Sequence, residues 1–370
     1  MSNRTALSAV LSLLVTLIVP ESVGPEAVPP EKPLRSAALP WLAEAQTPPE
    51  RLPADAPRLS PVVPPQTLAQ MSRDGWDENR RRIERLWTEF LGEVPSERPP
   101  LNGRVLDEEQ APTFLRQRIT YEAEPGVPVE AYLLVPKEGK RPFPAMVVFH
   151  STVDYTIRQP AGLEGPSDKH IGVHLAERGY VALCPQNYIW DYGGLKWADA
   201  VAKVRRDHPD WKGMTKMIWD GMRAVDYLCS LDYVDKKRIG CIGHSLGGKE
   251  ALFLPAFDPR IKVTVSSEGG IGLSFSNWEA EWYLGPDIRK PDFPLENDQV
   301  LALIAPRPFL LLGGDSADGD KSWPYILSVK PIYGLLGASE AIAFFNHKQG
   351  HAYPPEAQKR AYGWIDHWLK

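Results

Sequence analysis

The chain has few cysteines and no concentration of charge of one sign. Its 370 residues include only three cysteines, Cys184, Cys229 and Cys241, too few for a disulfide framework. The 42 basic and 47 acidic residues give a formal net charge of −5, without a basic block. The sequence therefore excludes a disulfide-stapled scaffold, and we expect no nucleic-acid partner because an electrostatic footprint for one is lacking.

The sequence also lacks an apolar run long enough for a comfortable membrane span. The apolar stretch from Ala6 to Val19 follows Arg4 and ends at Pro20. A transmembrane helix needs about 20 apolar residues, whereas a shorter run after a basic residue is typical of a secretory signal. We predict a secreted or periplasmic protein in which residues 1–24 are a signal peptide. An uncleaved N-terminal membrane anchor is the alternative.

Many of the 37 prolines fall between Pro20 and Pro65, where apolar periodicity is weak. Such a composition is typical of an extended, solvated linker. We therefore predict a linker over residues 25–72 and one catalytic domain over residues 73–370.

Strand and helix patterns alternate through most of that domain. A helix over 76–91 and a hairpin over 114–135 come first, and then buried apolar runs such as 146–149, 180–183, 238–242 and 309–312 alternate with helical segments. Alternation of this kind indicates an α/β protein with a mostly parallel, twisted sheet and helices on both faces.

The strongest chemical signal is the run Gly243-His244-Ser245-Leu246-Gly247. A predicted strand leads directly into it and a predicted helix leads directly out. A sharp strand-to-helix turn of this type exposes a strained serine, and its flanking residues must be small so that the backbones can pass. The placement predicts Ser245 as a nucleophile.

A serine hydroxyl needs a base to take its proton, so we expect a histidine later in the chain to act as that base. His351 follows the last predicted strand, after Gly350 and within a loop that ends at Pro354. His347 lies nearer the strand end and is the competing candidate. We predict His351 as the base.

Two carboxylates are candidates for orienting that histidine. Asp318 lies in the turn after the strand that precedes the histidine, and Glu268 follows the strand that contains Val263 and Val265. Both would lie at the carboxyl edge of the sheet, where a buried carboxylate is costly unless paired. We predict Asp318 as the principal acid and Glu268 as a second that can substitute in part.

Acyl transfer also requires backbone donors for the oxyanion. The N–H of Leu246, at the start of the helix after the nucleophile, is one predicted donor, and that of Thr152, in the turn after Phe149, is the other. This chemistry requires neither a metal nor an organic cofactor.

From about Pro144 onward the chain resembles the dienelactone hydrolase and acetyl xylan esterase branch of the α/β-hydrolase fold. The stretch Gly243 to Gly270 also resembles glucuronoyl esterases, whose nucleophile motif has a lysine matched by Lys249 and whose catalytic glutamate is matched by Glu268. Those esterases have an arginine where this chain has Leu246. A dienelactone hydrolase proper uses a cysteine nucleophile, which Ser245 replaces here.

Twelve tryptophans are many for this length, and Trp278 and Trp323 fall in loops beyond strand ends. We predict that they stack on a substrate ring and that Lys249 also binds substrate. The resemblance implies a serine carboxylic ester hydrolase that acts through an acyl-enzyme on acyl or uronoyl esters of plant polysaccharides. An oligopeptidase-type serine peptidase and an inactive hydrolase-fold binding module are the alternatives.

Overall fold

The computed structural model describes residues 39–191 and 196–370. The predicted signal peptide or anchor, and the first part of the predicted linker, lie outside these residues. Within the described ranges, no helix is both long enough and apolar enough to span a bilayer.

A single nine-stranded sheet, with strand order β1-β2-β3-β5-β4-β6-β7-β8-β9, organises the domain. Its strands are β1 (Arg104–Gln110), β2 (Phe114–Glu124), β3 (Val127–Pro136), β4 (Phe143–Phe149), β5 (Val181–Pro185), β6 (Val234–His244), β7 (Ile261–Ser267), β8 (Phe309–Gly313) and β9 (Ile342–Asn346). The pairs from β1 to β3, and the β3–β5 pair, are antiparallel, and all pairs from β5 to β9 are parallel. The predicted mostly parallel sheet is confirmed.

The described residues contain ten α-helices. They are α1 (Leu42–Ala45), α2 (Pro65–Leu68), α3 (Arg73–Leu91), α4 (Ile171–Glu177), α5 (Trp197–Asp207), α6 (Gly213–Ser230), α7 (Leu246–Phe257), α8 (Asn297–Ile304), α9 (Trp323–Leu335) and α10 (Pro355–Leu369). Apolar side chains of α3, α6, α7, α8 and α9 pack on one face of the sheet. Those of α1, α4 and α10 pack on the other, as predicted for a sheet covered on both faces.

The strands of the parallel part are buried along their whole length in β4, β5 and β8. Alternate residues of β4 face opposite sides, so that Val147 packs with one helical layer and Val148 with the other. Continuous burial is expected for parallel strands because helices cover both faces. The carboxyl ends of β4, β6, β7, β8 and β9 therefore meet at one edge, where the predicted chemistry lies.

Part of the segment predicted as a linker packs on the domain. The ring of Trp41 lies 6.1 Å from that of Trp364, and the Gln46 amide donates to the carbonyl oxygens of Ser339, at 2.6 Å, and Ile342, at 2.9 Å. Ala45 is buried in the same layer as α10. These contacts attach residues 41–46 to the face of the sheet opposite α7.

Removal of this attached segment is expected to lower stability without affecting the chemistry. A chain that begins at Met71 loses the Trp41 and Gln46 contacts, worth about 3 kcal/mol from two hydrogen bonds and one buried aromatic contact. At roughly 2 °C per kcal/mol for a large domain, Tm should fall by about 5 °C while kcat is retained. Thermal melting of this chain should be compared with that of a chain beginning at Leu39, and equal Tm values would contradict the attachment.

Candidate active site

Ser245 occupies a sharp turn between β6 and α7. Its backbone has φ 62° and ψ −119°, a conformation that L-residues rarely adopt and that usually marks a functional position. The N–H of Ser245 donates to the carbonyl oxygen of Ser267 at 2.8 Å, which ties the turn to the end of β7. The strained strand-to-helix geometry predicted from the sequence is present.

The two glycines around the nucleophile are required because backbones pass very close to them. A Cβ at Gly243 would lie 2.1 Å from the carbonyl oxygen of Gly247, and a Cβ at Gly247 would lie 2.5 Å from that of Phe149. No side chain fits at either distance. The turn can therefore form only with glycine at both positions.

His351 and Glu268 form a hydrogen-bonded pair beside Ser245. The Nδ1 atom of His351 lies 3.0 Å from Oε2 of Glu268, and both residues line the same cleft as Ser245. The imidazole is partly exposed to that cleft, whereas the Glu268 carboxylate is fully buried. The placement of Ser245, His351 and a carboxylate in chain order Ser–acid–His is that of an α/β-hydrolase triad.

The buried carboxylate of Glu268 is compensated by hydrogen bonds. Oε1 accepts from the N–H of Gly314, and Oε2 accepts from the N–H of Ala317 at 2.9 Å as well as from His351. A buried carboxylate costs free energy unless such donors surround it. The loop after β8 thus supplies backbone donors that hold the acid presented by β7.

The geometry corrects the predicted order of the two acids. Both oxygens of Asp318 are engaged elsewhere, with the N–H groups of Gly270 and Ile271 at 2.7 and 2.8 Å and the hydroxyl of Ser322 at 2.9 Å. Burial raises the pKa of this carboxyl. Asp318 therefore fastens the loop after β7 to the loop after β8, and Glu268 is the carboxylate beside His351.

His347, the competing base, has its hydrogen bond within its own loop. Its Nδ1 atom accepts from the N–H of Gln349 at 3.2 Å, and the residue is buried. Burial lowers the pKa of its imidazole. Between the two histidines, His351 alone contacts Glu268 among the described residues.

The two residues predicted to supply oxyanion donors, Leu246 and Thr152, both line the cleft. Leu246 begins α7, so its N–H belongs to the first turn and has no acceptor within the helix. Thr152 lines the cleft with Ser245 and Leu246. Both residues keep the position predicted for them; donation to an oxyanion stays a prediction.

His150 fixes the backbone that leads to Thr152. Its Nε2 atom accepts from the N–H of Asn187 at 3.1 Å, so Nδ1 carries the proton and donates to the carbonyl oxygen of Ser151 at 2.7 Å. Burial lowers the pKa of His150 to about 4, which keeps the ring neutral. Sequence reasoning missed this residue, although its position directly after β4 is a usable signal.

The cleft has a volume of about 440 Å³ and its aromatic lining differs from the predicted one. Trp278 is fully buried and its indole N–H donates to the carbonyl oxygen of Gly270 at 2.7 Å. Trp323 is buried too, with its ring 5.2 Å from that of Phe344. The prediction that these two rings stack on substrate is wrong, because both serve packing.

The aromatic residues that do line the cleft are Trp197, Phe275 and Tyr283. Trp197 begins α5 and its ring meets that of Trp282 edge-on, at 3.7 Å between centroids. This wall of the cleft was hard to predict, because α5 has only three buried residues and lies far from the Ser245 motif along the chain.

Lys249 lies in the wall of the cleft, one helical turn after Ser245. Its Nζ atom donates to the carbonyl oxygen of Gly269 at 2.7 Å and lies 3.9 Å from the centroid of the Trp278 ring. Burial lowers the pKa of Lys249 to about 7. Trp278 thus acts on the site indirectly, by supporting this lysine.

No group of three or more histidine, cysteine or acidic side chains in the described ranges could hold a metal ion. The chemistry available at this edge of the sheet is that of the side chains and backbone donors of Ser245, His351, Glu268, Leu246 and Thr152.

Comparison with known proteins shows which hydrolases this chain resembles. The family model described as "Dienelactone hydrolase family" matches residues 129–291. The Bacillus subtilis protein YtaP, described as a hydrolase, is 26% identical over 311 residues, which cover 79% of this chain and 99% of YtaP. A 4-O-methyl-glucuronoyl methylesterase from Sodiomyces alcalophilus is 28% identical over 152 residues, 34% of this chain and 29% of that protein.

A solved structure shares the architecture. The glucuronoyl esterase from Solibacter usitatus superposes with a TM-score of 0.68 at 18% identity, over 86% of this chain and all of that one. Together with the strand order and the turn at Ser245, this likeness establishes the fold. Residues 129–291 match the dienelactone hydrolase family model, and the chain has an α/β-hydrolase fold.

Proposed function

We propose that this chain is a serine carboxylic ester hydrolase that acts through an acyl-enzyme on acyl or uronoyl esters of plant polysaccharides. The observation that carries the proposal is the His351–Glu268 pair at 3.0 Å in the same cleft as Ser245. A strained serine, a partly exposed imidazole and a buried carboxylate are the groups that acyl transfer needs.

Acylation begins when the Ser245 hydroxyl oxygen attacks the ester carbonyl carbon. His351 takes the hydroxyl proton on Nε2, because its Nδ1–H is held by Glu268. The carbonyl oxygen becomes an oxyanion, which the N–H groups of Leu246 and Thr152 receive. Collapse of this intermediate breaks the bond to the alcohol oxygen, and His351 returns the proton to the leaving alcohol.

Deacylation repeats the sequence with water as nucleophile. His351 takes a proton from water, and the hydroxide attacks the acyl carbon on Ser245. The second intermediate collapses to the free acid as the bond to the Ser245 oxygen breaks, and His351 returns its proton to that oxygen. The fixed loops around Glu268 and His150 limit reorganisation during both steps, which is the main source of electrostatic catalysis.

A carbohydrate ester is supported by the cleft and by the relatives. Trp197, Phe275 and Tyr283 give flat apolar surfaces, and Lys249 offers a donor without a carboxylate partner in the part of the chain described. The Sodiomyces relative is named for a methyl ester of a glucuronic acid derivative. Leu246 stands where glucuronoyl esterases have an arginine, and its lack of a cation beside the oxyanion favours simple acyl esters over uronoyl esters.

Export is part of the proposal and rests on the N-terminal sequence alone. The apolar stretch from Ala6 to Val19 after Arg4 supports a secretory signal. An esterase for plant polysaccharides must act outside the cell because its polymeric substrate does not enter. We propose a secreted or periplasmic location, with an uncleaved N-terminal anchor as the alternative.

A hydrolysis panel tests the proposed substrate class. The protein should release acid from p-nitrophenyl acetate and acetylated xylan, with a kcat/KM for methyl glucuronate at least about tenfold lower, a difference of about 1.4 kcal/mol. A feruloyl ester measures how large an acyl group the cleft admits. Hydrolysis of dipeptidyl substrates without ester hydrolysis would instead indicate a peptidase.

A further inference from the structure

A further buried histidine, His244, lies behind the triad. Its Nε2 atom is 2.8 Å from Nζ of Lys169, and its Nδ1 atom is 2.9 Å from the hydroxyl oxygen of Ser267. Its ring lies 4.8 Å from that of His351. The proposed reaction uses neither His244 nor Lys169 directly.

The tautomer of His244 follows from the chemistry of its partner. A lysine ammonium has three donors and no acceptor, so Nε2 of His244 must accept and its proton lies on Nδ1. That proton is donated to Ser267. Burial, together with the nearby Lys169 and His351, holds the pKa of His244 well below its usual value, which keeps the ring neutral.

His244 connects the elements that present the triad. It immediately precedes Ser245, and its partner Ser267 immediately precedes Glu268. Its ring also packs against His351 from the loop after β9. Lys169 comes from the segment between β4 and α4, the same segment that contains Thr152. The turn at Ser245, the end of β7 before Glu268, the loop of His351 and the segment of Lys169 therefore all meet at the imidazole of His244.

We infer that Lys169 and His244 are a positioning pair, in which the lysine ammonium locks the His244 tautomer and thereby fixes Ser245, Glu268 and His351 relative to one another. The inference rests on the proposed function, because it concerns the alignment of the proposed triad. Misplacement of reacting groups by about 1 Å can lower a rate by a factor of about 10². A fixed His244 tautomer should therefore raise kcat.

The His244 tautomer is fixed only while Lys169 is positively charged, and several titratable groups lie near that charge. Burial lowers the pKa of Lys169 to about 8, although Asp168 and Glu268 act in the opposite direction. As pH rises through this value the ammonium becomes an amine, which can accept as well as donate, and the His244 tautomer is no longer fixed. The titratable groups around Lys169 are Asp168, His244, Glu268, His347 and Tyr353.

The test compares Lys169 variants across pH with p-nitrophenyl acetate as substrate. In the wild type, kcat should decline as pH rises past about 8, as Lys169 loses its proton. Lys169→Arg should keep its charge throughout and remove that decline, since guanidinium does not deprotonate in proteins. Lys169→Met and Lys169→Gln should have a kcat about tenfold or more below wild type at pH 7, no decline, and an unchanged KM.

Lys359→Met is the matched control, because Lys359 is an exposed lysine on α10 and its loss changes net charge equally. It should keep the wild-type profile. Melting temperatures establish that each variant is folded. A wild-type decline that persists in all three Lys169 variants, with undiminished kcat at pH 7, would overturn the inference.

The same experiment separates this inference from the proposed function. If Ser245→Ala also retains wild-type turnover, the proposed function itself fails. If Ser245→Ala is inactive and the Lys169 variants behave as wild type, only the positioning pair is refuted. A second readout is the nitrogen NMR signal of His244, which should show a protonated Nδ1 in the wild type and mixed tautomers in Lys169→Met.

Discussion

Replacement of Ser245 by alanine is expected to lower kcat for ester hydrolysis by about 10⁴-fold or more, as for other triad knockouts. Alanine removes the attacking oxygen but leaves the backbone bond between Ser245 and Ser267 in place. The small side chain also meets the same steric demands in the turn. Turnover of p-nitrophenyl acetate should therefore be lost while Tm stays within a few degrees of wild type.

Ser316→Ala is the matched control for this prediction. Ser316 lines the same cleft as Ser245 but lies in an exposed part of the loop after β8. Removal of the Ser316 hydroxyl should change kcat by less than about threefold, because surface substitutions usually change stability by under about 0.5 kcal/mol. Near-native turnover in Ser245→Ala would contradict the nucleophile assignment.

Replacement of Glu268 by glutamine is expected to lower kcat by about 10⁴-fold, the magnitude seen when the tautomer of a catalytic histidine is lost. Each carboxylate oxygen of Glu268 accepts from at least one N–H group. A glutamine NH₂ group at either oxygen therefore faces a donor. Placed at Oε2, it would donate to Nδ1 of His351 and move the imidazole proton to Nε2, where it blocks attack by Ser245.

Asp318→Asn separates catalysis from loop stability. Asp318 accepts from two backbone N–H groups and from Ser322, so an amide there leaves a buried donor unsatisfied at a cost of about 1–3 kcal/mol. We expect a lower Tm for Asp318→Asn and a kcat within about tenfold of wild type. A near-silent Glu268→Gln beside a severe kcat defect in Asp318→Asn would reverse the assignment of the acid.

The sequence was sufficient to locate Ser245 and His351, because both depend on local order along the chain. The nucleophile lies between a strand and a helix, and the histidine follows the last strand. The choice between the two candidate acids could not be made from local order along the chain, because the loops after β7 and β8 converge at one edge of the sheet. The predicted preference for Asp318 over Glu268 was reversed by the hydrogen bonds of each.

Residues outside the main periodic pattern were the hardest to predict. Every residue of β1 is exposed, so that edge strand has no apolar alternation to reveal it, and its pairing with β2 alone defines it. Trp278 and Trp323 were misplaced because a loop position does not determine whether a ring faces the cleft or the core. That choice is made by packing against Lys249 and Phe344.

The most direct test of the central claim is covalent labelling with a fluorophosphonate probe, followed by mass spectrometry of the digested protein. We predict one adduct on Ser245, which is absent in Ser245→Ala. In Glu268→Gln the adduct should form far more slowly, because the imidazole no longer accepts the serine proton. Asp318→Asn should label at close to the wild-type rate. An adduct on a different residue, or ester hydrolysis by a folded protein whose Ser245 stays unlabelled, would contradict the assignment.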